Sequence, residues 1–200
     1  MLYKIFRFLF YCILKIVSRL TIYGVENIPS SGPVILVSNH ISNWDPMIVG
    51  ISANRQVHFI AKEELFKFPP LRYLMLAWGA LPVKRGRGDR EVISKSLEVL
   101  KDQKILGIFI EGTRNKVDPN RMQKPQPGAA MLTLKSGAVV VPMLVTNSNR
   151  ISRLSKVEVF IGKPITFTTD PGQDKKELYS EISQTIVNAI ESLRGAKKGA

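Results

Sequence analysis

From residue 33 onward, short apolar runs alternate with stretches of helical periodicity, and this alternation restricts the chain more than any other feature. Runs at 34–38, 57–61, 80–84, 105–110 and 138–145 are bounded by Gly, Pro or charged residues and read as strands. Between them, 46–52, 70–78, 89–102 and 128–136 read as helices; Gly137 suits the left-handed residue that closes the last of these. Two further strands, 157–161 and 164–167, precede a final helix over 173–193. This order predicts an α/β fold with a mostly parallel central sheet flanked by helices. Active residues in such folds gather on the loops that leave strand C-termini. The 200 residues show no internal repeat and no linker, so one core is expected. A chain of this size buries roughly 70% of the surface its unfolded form exposes and needs no staple. A single cysteine, Cys12, excludes an internal disulfide, and with two histidines, His40 and His58, little remains for a zinc centre. The chemistry is expected to use no cofactor and either no metal or one brought by a ligand.

The first twenty residues stand apart. MLYKIFRFLFYCILKIVSRL is strongly apolar, yet Lys4, Arg7, Lys15 and Arg19 leave an uncharged run only over 8–14. Crossing a bilayer takes about 20 apolar residues. Each apolar residue favours insertion by about 0.3 to 0.6 kcal/mol, whereas a central Lys or Arg opposes it by about 2.5 to 3.5 kcal/mol, so spanning loses. At 100° per residue the basic side chains fall within about 120° of circumference and leave a wide Leu/Ile/Phe face. Lying in the interface buries that face in acyl chains and lets each basic group gain about 1 kcal/mol from anionic lipid. Residues 1–20 are therefore expected to form an amphipathic membrane-interface helix, followed by one domain over 21–193 and a disordered tail over 194–200. The alternative is a helix that packs on the core. Lys15 and Arg19 interrupt the apolar stretch and no small-residue cleavage site follows, which argues against a signal peptide. The expected location is peripheral, on the cytoplasmic face of the cell membrane.

Twenty-nine Lys and Arg against sixteen Asp and Glu give a net charge of +13, which favours polyanionic partners of any kind. Three loops sharpen this. Directly after the strand at 34–38 comes Asn39-His40-Ile41-Ser42-Asn43-Trp44-Asp45-Pro46. A histidine at a strand end, followed five residues later by an aspartate, can fold so that the carboxylate accepts Nδ1–H and leaves Nε2 free to take a proton. The same residues also spell a plain helix start, with Asp45 as N-cap, Pro46 in the first turn and Ser42 in a capping-box position. Phe109-Ile110-Glu111-Gly112-Thr113-Arg114 follows another strand. There Arg114 can fork onto a phosphate, Gly112 permits close backbone approach, and Glu111 can position a hydroxyl or hold Arg114. A third loop, 84–90, is rich in Lys and Arg.

Taken in order, NHISNWDP, KEELF from Lys62, GALPVKRGRGD, FIEGTR and VVVPM resemble the blocks of the glycerolipid acyltransferase family, most closely its 1-acylglycerol-3-phosphate acyltransferases. The resemblance runs from about Pro33 to Val145. It implies that His40 is a catalytic base for the acceptor's 2-hydroxyl and that Asp45 orients it. It implies that Lys62, Arg85 and Arg114 bind the acceptor phosphate, that Glu111, Gly112 and Thr113 belong to the acceptor site, and that Pro142 packs on the donor side. The partners implied are a lysophosphatidic acid acceptor, an acyl carrier protein or acyl-CoA donor, and an anionic membrane surface. Ile110, Asn115 and Asn147 depart from the family's common Pro, Ser and Gly. The competing class is a non-catalytic basic module for membrane or nucleic acid; no aromatic-interleaved RNA motif or zinc-finger spacing supports nucleic acid, and none is expected as a partner.

Overall fold

The computed structural model describes residues 2–83, 89–153, 155–168 and 172–195. Among these described residues seven strands form one sheet: β1 (Thr21–Tyr23), β2 (Val34–Ser38), β3 (Val57–Lys62), β4 (Ala80–Val83), β5 (Ile105–Phe109), β6 (Val139–Thr146) and β7 (Glu158–Ile161). Six helices accompany them: α1 (Leu2–Ser18), α2 (Asp45–Ser52), α3 (Pro69–Ala77), α4 (Asp89–Lys101), α5 (Gly128–Ser136) and α6 (Lys175–Ser192). The strand order is β1-β7-β6-β2-β5-β3-β4.

Every residue of β2 is buried, as a central strand covered on both faces requires. Because side chains alternate across a strand, Val34 and Leu36 join one core with residues of α1 and α2, while Ile35 and Val37 join a second with α4, α5 and α6. The result is an α/β fold with helices on both faces of the sheet. Gly137 adopts the expected left-handed conformation at the end of α5, with φ of 65°.

The sheet is mixed: of its six strand pairings five are parallel and one is antiparallel. β7 lies antiparallel to β6, with Met143 opposite Ile161, and β1 lies parallel to β7. Among the described residues, the segment 147–157 joining β6 to β7 holds only a short 3-10 turn (Ser148–Arg153), whereas a parallel return needs a crossover, usually helical. Alternation of apolar runs does not reveal strand direction. The strand expected at 164–167 is reduced to one antiparallel bridge, Val140 to Ile165, since Pro164 has no N–H to extend it. β1 went unpredicted, its three residues being too few to carry a periodic signal. Arg194 and Gly195 donate backbone N–H groups to Glu191 and Ser192, so the start of the expected tail is tied to α6; residues 196–200 lie outside the described residues.

α1 divides its apolar surface. Tyr3, Phe6, Phe10, Leu14 and Val17 pack on the core, and Tyr3 Oη donates to the Gly50 carbonyl at 3.0 Å. Ile5, Leu9, Ile13 and Ile16 form a second stripe facing outward, with Ile16 80% exposed. The helix thus packs one stripe on the core and leaves a second apolar stripe exposed.

Candidate active site

The chain builds β3, β4 and β5 on one side of β2 and β6 and β7 on the other, so the loops leaving the C-terminal end of β2 open onto a crevice. His40 stands two residues past β2, at this C-terminal end of the sheet. Its Nδ1 lies 2.7 Å from Asp45 Oδ2, and the same oxygen accepts the backbone N–H groups of Ile41 and Ser42, each at 2.7 Å. Asp45 Oδ1 accepts the hydroxyl of Ser148. Asp45 is fully buried, while the His40 side chain is 16% exposed.

These bonds decide between the two readings of the motif. A side-chain N-cap would reach forward to the first N–H groups of α2. Asp45 instead reaches back to the loop before it; the N-cap position belongs to Trp44, which makes no side-chain capping bond. A carboxylate only accepts hydrogen bonds, so His40 Nδ1 carries the proton and Nε2 presents its lone pair. The ring stacks on Phe109, with centroids 4.0 Å apart and planes inclined by 16°, and Phe59 continues the stack from β3 at 5.9 Å. The imidazole is therefore fixed in tautomer by Asp45 and in plane by Phe109.

Its backbone is held as firmly. His40 N–H donates to Glu111 Oε1 at 2.9 Å, and Glu111 Oε2 accepts the N–H of Gln123 at 3.0 Å. Glu111 thus uses both oxygens to join the loop after β2 to the segment after β5, instead of pairing with Arg114. The His40 carbonyl accepts the N–H of Asn115 at 2.7 Å, which sets the turn carrying Thr113 and Arg114 directly against the histidine loop. Gly112 in this turn has φ of 70°, and a side chain there would meet Gln126 at 2.9 Å, so glycine is required. Asn39 pairs its side-chain amide with both backbone groups of Val145, at 2.9 and 2.8 Å, extending the β2 and β6 alignment to the threshold of His40.

His40, Asp45, Glu111, Gly112, Thr113 and Arg114 therefore share one end of the sheet. Gly112, Thr113 and Arg114 are exposed there. Lys62 is exposed at the end of β3, opposite Val83 of β4, and the Phe109–Phe59 stack runs from His40 toward that strand. Arg85 lies outside the described residues. Sequence reasoning missed Ser148, Asn39 and the ring of Phe109. Asn39 and Phe109 stand inside quoted motifs, but their geometry depends on strands far apart in the chain.

The three departures from the family's common pattern have local accounts. Ile110 donates its N–H to the Ser38 carbonyl at 3.1 Å, a bond proline would lack. Asn115 Oδ1 accepts the N–H groups of Val117 and Asp118, and its amide donates to the Arg121 carbonyl. Asn147 takes φ of 58°, where glycine is at ease and asparagine is the usual substitute.

Residues 19–146 match the family described as Acyltransferase. That span exceeds half the chain, and the chain belongs to this family. Among particular relatives it is similar to the 1-acyl-sn-glycerol-3-phosphate acyltransferase of Borreliella burgdorferi, 28% identical over 187 residues that cover 88% of this chain and 73% of that protein. It resembles the protein of the same name from Bacillus subtilis at 25% identity, covering 90% and 91% of the two chains. Against the chloroplastic LPAT1 of Arabidopsis thaliana identity is 33%, with 74% of this chain aligned to 44% of the plant protein. In fold it is similar to the crystal structure of the 1-acyl-sn-glycerophosphate acyltransferase PlsC from Thermotoga maritima. That comparison has a TM-score of 0.67 at 24% identity and covers 92% of this chain and 80% of that one.

Proposed function

We propose that this chain transfers a fatty acyl group from a thioester donor to the 2-hydroxyl of 1-acyl-sn-glycerol-3-phosphate, giving phosphatidic acid. The observation that carries the reading is the His40–Asp45 pair, with Nε2 open at the C-terminal end of β2 in a chain of the Acyltransferase family. The acceptor hydroxyl gives its proton to His40 Nε2 as its oxygen bonds to the thioester carbon; the C–S bond then breaks, and the proton passes to the departing sulfur. A positioned base contributes about 100- to 10,000-fold. Asp45 keeps Nδ1–H in place and stabilises the imidazolium that forms. No protein nucleophile is required: the Ser148 proton is directed at Asp45, and the Ser42 hydroxyl accepts the N–H of Trp44. Arg114, one residue before the bond that ties Asn115 to His40, is proposed to grip the acceptor phosphate, with Lys62 and Arg85 completing the basic side. Glu111 acts on the acceptor indirectly, by fixing His40.

The outward stripe of α1 and the exposed Phe68 and Tyr73 around α3 are proposed to rest on an anionic membrane from the cytoplasmic side. Among the described residues no helix is long and apolar enough to cross a membrane. Between α1 and α3 an apolar groove of about 400 Å³, lined by Phe6, Pro70, Tyr73, Leu74 and Ala77, suits an acyl chain. In domain terms, residues 1–20 form the membrane-facing helix and 21–193 the catalytic unit.

The test is to mix purified protein with lysophosphatidate and either acyl-CoA or acyl carrier protein thioester, and to weigh the lipid products. Phosphatidic acid from at least one donor is expected. Turnover only with glycerol-3-phosphate or another lysophospholipid would reassign the acceptor, and no turnover with any acceptor would leave a basic membrane-binding module.

A further inference from the structure

Asp45 is fully buried, and it receives three donors on Oδ2 but a single side-chain donor on Oδ1. That donor, Ser148, is 1% exposed and comes from 103 residues away, at the start of the turn that follows β6. We propose that Ser148 is a positioning residue for the reaction, holding the Asp45 carboxylate so that Oδ2 stays aimed at His40 Nδ1; this rests on His40 being the base.

The three donors on Oδ2 pin one corner of the Asp45 carboxylate. The Ser148 hydroxyl takes the other oxygen and fixes its plane. Ser148 is itself anchored: Asn147 makes the left-handed turn before it, and Ile151 in the same turn is buried in one core with Leu14 of α1 and Ile48 of α2. Its hydroxyl donates to Asp45 Oδ1, so it acts on His40 through the carboxylate.

Loss of the hydroxyl leaves a buried charged oxygen without its donor, an arrangement that proteins avoid. The carboxylate then turns or takes up a proton, and either outcome weakens its hold on Nδ1–H. A neutral imidazole released from that hold populates the opposite tautomer, in which Nε2 carries the proton and can no longer accept one.

The chain's two histidines make this readable without turnover. Nitrogen-15 spectra of the whole protein are expected to show His40 as the Nδ1–H tautomer. In Ser148→Ala a mixture of tautomers should appear at His40, with His58 unchanged. In the acyl-transfer assay Ser148→Ala should lower kcat by about 10- to 100-fold, the scale of a misplaced catalytic group, with KM for lysophosphatidate altered less than about twofold. Ser148→Thr keeps the hydroxyl and should recover most of the rate. If the alanine chain does not fold, Ser148→Cys decides: it is close in size and a weak donor, so the His40 mixture and a reduced kcat are again expected. A folded Ala or Cys variant with wild-type kcat and an unaltered His40 tautomer would overturn the proposal. A tautomer change in a protein that makes no phosphatidic acid would instead sink the acyltransfer reading and leave the positioning role standing.

Discussion

The two histidines lie toward opposite ends of the same sheet. His58 sits in β3 opposite Leu106, which is itself opposite Ile35 of β2; His40 lies five residues beyond Ile35, so the rings are separated by roughly 16 Å along the strand direction. At the N-terminal end His58 is half-buried beside Gly79, and burial first, then the Lys104 charge, pushes its pKa below the ordinary imidazole value. His40, at the C-terminal end, meets a buried carboxylate and an aromatic face. Burial at one end discourages the imidazolium, while at the other a carboxylate fixes which ring nitrogen carries the proton. Residue type is the same at both positions; the loop that follows the strand makes the difference.

The sharpest way to break this comparison is to remove each ring in turn. His40→Ala should reduce phosphatidic acid formation by about 100- to 10,000-fold, whereas His58→Ala should stay within about threefold, measured as initial rates at saturating substrates. Equal losses would erase the distinction. Asp45→Asn keeps the shape but offers His40 an ambiguous partner; a fall in kcat of about 100-fold or more, with little change in KM, is expected from steady-state kinetics. Arg114→Ala should act on binding, raising KM for lysophosphatidate about tenfold while kcat falls less. The smallest effect concerns stability against pH. His58 has a folded pKa lowered from its unfolded value, so below the unfolded pKa of about 6.5 the unfolded chain binds the extra proton and gains. Stability should drop as pH falls through that window and level off below the folded pKa. Urea titrations of wild type and His58→Gln from pH 7.5 to 5 should show a shallower decline for the variant, and parallel curves would remove His58 from the account.

Much of this was legible in the chain because the signals are local. Among the described residues, six of the seven strands and all six helices announce themselves through apolar runs, prolines and Gly137. The His40 and Asp45 spacing was legible too, but its meaning was not: Ser42-x-x-Asp45-Pro46 fits a helix cap as well as a catalytic pair, and only the direction of the Asp45 bonds separates them. Ser148 gave no signal, because a serine after a strand is commonplace and its value lies in a partner 103 residues away. The reversed direction of β7 was hidden for a related reason, since pairing direction is a property of the connection and of tertiary packing. Glu111 was recognised as a site residue, yet its two backbone partners, His40 and Gln123, come from separate loops.

In the proposed reaction the acceptor hydroxyl, deprotonated by His40, attacks the thioester with no acyl group ever held by the protein. Intact-protein mass after brief incubation with acyl donor alone, set beside the lipid products once lysophosphatidate is added, reads this directly. The prediction is an unmodified protein mass and phosphatidic acid only when both substrates are present. A protein heavier by one acyl group, which then passes that group to lysophosphatidate, would contradict it.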